Sequence, residues 1–320
     1  MTKYVFTILF CCSWIKETNA QCCSAGSPTG GTTNAGSLLK NSFQAIAFYQ
    51  HSYSNKYFQG DKKVNSNLVK YASFDFVGLS LAYGITDKLT TELEPGFYAS
   101  KKQVYNLPPP DNALNGYGLS DLTFQTKFAI VKDLRKQFEI TPGIGFRFPP
   151  AFHAQIQNNV QLPQDVQPSS NAFAFVGSLF LYKGIIEKKI NLFWINRVII
   201  PTSGNEQKFQ SGNAFISSFF FSYSVALHWS LIAQVRNEYR ARDIRNNLQV
   251  AASGSEQFYF SPQINYNIAQ KWNISLLADI PVYQYYNGTQ LAKIFSAALI
   301  LNRTFDLSKN ISPIKDPDKS

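Results

Sequence analysis

GLSDLTFQTKFAIVKDLRKQFEITPGIGFRFP, residues 118–149, reads as two amphipathic strands joined by a charged turn. In the first strand Leu122, Phe124, Thr126 and Phe128 alternate with Asp121, Thr123, Gln125 and Lys127. In the second, Phe138, Ile140, Pro142, Ile144, Phe146 and Phe148 alternate with Gln137, Glu139, Thr141, Gly143, Gly145 and Arg147. Successive side chains of a strand point to opposite faces, so each strand has one apolar and one polar face. A soluble sandwich would turn the apolar face into a core. A transmembrane barrel would turn it to lipid and the polar face to a lumen.

Working outward, the same alternation recurs between connections that are by turns short and long. Short ones fall near 85, 134, 185, 227 and 270, and longer ones near 60, 108, 160, 206, 248 and 287. The strands between them are about ten to fourteen residues, enough to cross a bilayer when tilted and longer than usual in a sandwich. Short turns on one side and long loops on the other are the pattern of an outer-membrane barrel. The expectation is an all-β chain, a transmembrane antiparallel up-and-down β-barrel of about 12 strands, with both termini on the short-turn, periplasmic side. Strands are expected near 39–53, with 54–68 as a loop, near 70–83, with a bulge around Phe76–Leu79, and near 88–99. Tyr182, Trp229, Tyr266 and Trp272 flank short turns, where an interfacial aromatic girdle would lie.

Composition agrees. Aromatics make up 15% of the chain and charged residues only 16%, while the mean hydropathy of −0.16 gives no sign of membrane helices. Alternating strands escape hydropathy averages, so that value leaves a barrel open. At the N-terminus, Lys3, an apolar Tyr4–Ile15 segment and Thr18-Asn19-Ala20 form an export signal, with Gln21 starting the mature chain. The expected organisation is a signal peptide at 1–20, a flexible periplasmic leader at 21–38, the outer-membrane barrel at 39–305 and a polar tail at 306–320. Cys11 and Cys12 leave with the signal. The adjacent Cys22 and Cys23 make no spaced disulfide framework, so the barrel carries no staples. Net charge is +10, of which Lys3, Lys16 and Glu17 account for +1 in the signal. For an exported chain this excess fits a solvated surface, or contact with anionic head groups, rather than nucleic acid.

Tyr83-Gly84-Ile85-Thr86-Asp87-Lys88-Leu89, Gly118-Leu119-Ser120-Asp121-Leu122 with Lys127-Phe128, and Thr141-Pro142-Gly143-Ile144-Gly145 together resemble the turn and strand motifs of the meta-pathway phenol-degradation family of outer-membrane transporters. The resemblance spans roughly residues 40–305. It implies an outer-membrane channel or transporter for small organic solutes, aromatic compounds among them. Such barrels often end on an aromatic residue read by the assembly machinery. Here Phe305 is followed by a polar tail.

Projecting the polar faces inward gives the expected lumen residues: Glu92, Glu94, Asp121, Gln125, Lys127, Glu139, Arg147, Arg197, Arg236, Glu238, Gln263 and Asp279. Equal counting across the 134 turn sets Lys127 opposite Glu139 or Thr141. The expected partners are outer-membrane lipid, a small-molecule solute and the barrel assembly machinery, without nucleic acid, cofactor or metal. Two other functions compete. A structural or surface-binding barrel would use the 150–171 loop. A lipid hydrolase would need a Ser–His pair on the wall, yet the only histidines are His51, His153 and His228, and neither G-x-S-x-G nor H-E-x-x-H occurs. An enzyme is therefore not expected. His51 and His153 are expected in or beside outer loops. Asn273-Ile274-Ser275 and Asn287-Gly288-Thr289 are read as chance matches to a glycosylation sequon.

Overall fold

Period-two alternation is realised as a closed wall of strands in a computed structural model that describes residues 36–66, 68–108, 112–268 and 272–307. The expected signal peptide, Cys22 and Cys23, and the tail beyond Leu307 lie outside the described residues. The strands are β1 (Ser42–Gly60), β2 (Val69–Gly84), β3 (Leu89–Glu94 continued by Gly96–Tyr105), β4 (Ala113–Leu119 continued by Leu122–Phe128), β5 (Phe138–Phe148), β6 (Ala174–Ile185), β7 (Ile190–Pro201), β8 (Ala214–Ser224), β9 (Trp229–Arg240) and β10 (Ser255–Ile268). The run Trp272–Asp306 supplies the last two, β11 (272–286) and β12 (289–306). Each strand pairs antiparallel with its sequence neighbours, and β1 pairs with both β2 and β12, which closes the barrel.

The division of Trp272–Asp306 at Asn287-Gly288 follows from its contacts. The first half pairs with β10 and the second with β1. Ser296 Oγ donates to Asp279 Oδ2 at 2.8 Å, and the Arg303 guanidinium lies 4.7 Å from the Trp272 ring, so the two halves lie side by side. Gly288 has φ +72°, the geometry an Asn-Gly hairpin turn requires. Read as one strand, this segment would leave eleven members, and an odd number cannot close with every pair antiparallel. The connection expected to be long near 287 is thus a two-residue turn, which corrects the loop reading there.

The exterior is apolar. Ile144 is 77% exposed, Leu276 60% and Phe146 48%. A continuous belt of such side chains is stable only against lipid. At the short-turn end Trp229 meets Tyr266 at 4.6 Å between ring centroids, and Arg303 covers both Trp272 and Phe305. Tyr182 does not join this girdle. It shares the face of buried Phe180, and its hydroxyl reaches Gln137 and Asn191, so it points into the lumen. His51, expected in or beside an outer loop, lies within β1. It sits on the outward face of β1 directly opposite Asp75 of β2, with Nδ1 2.9 Å from the carboxylate, and Tyr49 donates to the same oxygen.

Register shifts explain where the alternation failed as a guide. β1 continues to Gly60, beyond the end at 53, because bulges at Tyr53/Ser54 and Ser54/Lys56 break the period while pairing to β12 persists. The bulge expected near Phe76–Leu79 occurs as a shift at Asp75/Phe76 against β3. Lys127 pairs with Gly143, not with Glu139 or Thr141. The β4–β5 ladder steps from Lys127↔Gly143 to Val131↔Ile140 around Pro142, which has no N–H to give.

The topology carries a direct expectation. Asn158, exposed at the tip of the 149–173 loop, should react with a membrane-impermeant maleimide on intact cells as Asn158→Cys, and Asp133→Cys should not. Labelling of Asp133→Cys alone would invert the barrel.

Candidate functional site

Inward-facing side chains turn the lumen into two unlike halves. On the β9–β12 side, Arg236 (1% exposed) donates to both oxygens of Asp279 at 3.2 and 2.8 Å, and its Nε lies 2.8 Å from Glu238. Ser261 and Ser296 also donate to Asp279. Lys293 and Arg236 both cover the ring of Tyr259, at 4.1 and 4.8 Å. This half is filled by a buried ionic network, and the buried Gln263 amide beside it finds no hydrogen-bond partner among the described residues.

The other half is open. Lys127 Nζ lies 2.5 Å from Glu92, which also accepts from Gln125 and from Ser80. Gly143 and Gly145 make room for the long side chains of β4: a Cβ on Gly145 would sit 2.1 Å from the Phe124 carbonyl oxygen. Arg197 of β7 donates to both oxygens of Glu94 on β3, at 3.1 and 2.6 Å. These strands are not neighbours, so the pair is a strut across the lumen.

Against the strut lies a cavity of about 210 Å3. Its apolar wall is Phe48, Phe76, Tyr98 and Phe220, with Phe76 and Tyr98 in edge contact at 4.8 Å. Its polar wall includes Glu94, Asp121, Arg147 and Arg197. A second cavity of about 130 Å3 lies on the long-loop side and shares Tyr98, Asp121, Arg147 and Pro168 with the first. Those four residues therefore mark the neck between them.

The neck exists because the 149–173 loop folds inward. Ser169 Oγ and Ser170 N donate to Asp121 Oδ1, at 2.6 and 3.0 Å, and Lys101 Nζ donates to the Gln167 carbonyl at 2.8 Å. Leu162 and Val166 are 1% exposed. Gly116 admits the loop backbone, since a Cβ there would meet the Val166 oxygen at 1.9 Å. Gly118 (φ +126°) bends β4 where Asp121 takes up the loop. Burial, reinforced by Asp243 and opposed by Lys101, pushes the Asp165 carboxyl of this loop up to about 7.

At the short-turn end, residues 36–41 dock across the inner wall. Glu139 accepts from Ser37 N at 2.6 Å, Thr90 from Leu38 N at 2.8 Å, and Lys132 Nζ donates to the Ser37 carbonyl. The end of the expected flexible leader is thus held in place, and Glu139 holds it. Among the described residues no serine hydroxyl bonds a histidine: His51 meets Asp75 and His153 meets Glu206.

No family model matches the chain, and no curated protein matches it in sequence. The phenol-degradation resemblance therefore rests on its turn and strand motifs alone. Among solved structures, the chain is similar to the COG4313 outer membrane channel from Pseudomonas putida F1, with a TM-score of 0.67 at 14% identity over 86% of this chain and 99% of that one. It also aligns with the NanC porin at a TM-score of 0.47 and 13% identity, over 81% of this chain and 98% of that one. The first likeness extends over nearly the whole of the channel's chain, and the fold is that of an outer-membrane β-barrel.

Proposed function

We propose that this chain is a narrow channel in a bacterial outer membrane, passing small solutes through its lumen. One observation carries the reading: the half of the lumen walled by β1–β8 is not packed but holds the cavity beside the Glu94–Arg197 strut, continued past the neck toward the long loops. A charge facing lipid at mid-depth would cost roughly 2–4 kcal/mol for Arg or Lys. Lys127, Arg147, Arg197 and Arg236 avoid that cost by facing inward. There, with Glu92, Glu94, Asp121, Glu139, Glu238 and Asp279, they set the field that a passing solute meets. The motif resemblance favours small organic solutes, aromatic ones included.

Osmotic swelling of liposomes containing the refolded barrel tests this. Swelling is expected in glycine or arabinose but not in a trisaccharide, because the neck limits size. Folded protein that supports no swelling in any solute would leave a structural barrel as the better reading.

A further inference from the structure

Arg147 stands apart from the other lumen cations. Lys127 is paired with Glu92, Arg197 with Glu94, and Arg236 with Asp279 and Glu238. Arg147 makes no ion pair and no side-chain hydrogen bond among the described residues, although it lines both cavities at the neck. Its acidic neighbour, Asp121, has Oδ1 occupied by the two donors of the 149–173 loop and lies beyond ion-pair distance. A guanidinium offers a planar fork that matches a carboxylate bidentately. The same cavity is lined by Phe48, Phe76 and Tyr98, packed ring on ring at 5.7 and 4.8 Å. The strut's two charges neutralise each other and Asp121 is engaged by the loop, so Arg147 is the guanidinium of the cavity left without a side-chain partner, beside an apolar wall. Concave sites with an apolar lining and a few convergent polar groups are where small ligands bind.

We propose that the central cavity is a binding site for a small monocarboxylate with a compact apolar body, its carboxylate on Arg147 and its body against Phe76 and Tyr98. Such a ligand meets both features at once. An inorganic anion leaves the aromatic wall unused, and a neutral apolar molecule leaves the guanidinium unpaired. The proposal rests on the channel reading only for its physiological meaning, since binding is measurable without flux.

Benzoate is a suitable probe, with acetate as the carboxylate lacking the body and benzyl alcohol as the body lacking the charge. Equilibrium dialysis of radiolabelled benzoate against the folded full-length barrel should give saturable binding. Acetate and benzyl alcohol should each displace it at least tenfold less well than unlabelled benzoate. Arg147→Gln should weaken binding at least tenfold, and Arg147→Lys should restore part of it by keeping the charge without the fork. Folding is checked by the heat-modifiable gel shift. If Arg147→Gln does not fold, Arg147→Lys and Phe76→Leu, read with the competition series, decide. Absence of saturable binding, equal displacement by benzyl alcohol, or full affinity in folded Arg147→Gln would overturn the proposal. Binding without conductance would sink the channel reading and keep this one. Conductance without binding would do the reverse.

Discussion

Replacing Asp279 with alanine is expected to destabilise the folded barrel by roughly 3–5 kcal/mol, the usual consequence of removing one partner of a buried ion pair. Asp279 is 0% exposed and accepts from Arg236, Ser261 and Ser296. Its loss leaves the Arg236 guanidinium buried with only Glu238 beside it. Urea titration in lipid vesicles, followed by the heat-modifiable gel shift, measures the effect. The triple replacement Arg236→Met, Glu238→Gln and Asp279→Leu should recover most of the lost stability, because it removes the stranded charge along with both of its partners. A triple variant no better than the single one would mean that the network contributes more than mutual neutralisation.

The second large effect concerns the roof. Replacing residues 155–170 by a short Gly-Ser linker removes Leu162, Val166 and Gln167 from the mouth and frees Asp121 from Ser169 and Ser170. Unit conductance in planar bilayers should rise several-fold, and the barrel should still fold, because the loop contributes no strand to the closed ladder. Asp165 adds a pH dependence with a definite sign. Its carboxyl titrates near 3.8 when free and is raised to about 7 when the loop is seated, mainly by burial. Seating is therefore strongest below about pH 4 and weakens as pH rises through about 7. Conductance of the intact protein should increase over that interval, and Asp165→Asn should flatten the profile. An unchanged profile in that variant would assign the gating elsewhere.

Much of this architecture is visible in local sequence. Outward Phe124, Ile144 and Phe146 and inward Thr123, Gln125 and Lys127 follow from period two alone, and the short turns at 85, 134 and 185 are marked by their polar residues. What stays hidden has physical causes. The Glu94–Arg197 strut joins residues 103 apart in sequence, and only closure of the barrel brings β3 across from β7. The step at Pro142 shifts a register by one residue, which no alternation count across the turn can see. The bulges in β1 hid the last third of that strand. The Asn287-Gly288 turn was legible, since that dipeptide is the strongest short hairpin signal, but its flanks Tyr285-Tyr286 and Thr289-Gln290 do not alternate cleanly. The inward fold of the 149–173 loop leaves no periodic trace at all. Its anchor, Asp121, reads as one more polar-face residue until Ser169 and Ser170 are seen on it.

In the proposed channel, inward side chains at the neck set the charge of the path through the lumen. Reversal potentials of single channels across a salt gradient, for wild type and Arg147→Glu, decide whether they do. Wild-type protein should show small, discrete conductance steps, and Arg147→Glu, still heat-modifiable, should move the reversal potential toward cation preference. Folded wild-type protein without conductance, or a folded Arg147→Glu channel with unchanged selectivity, would show that they do not.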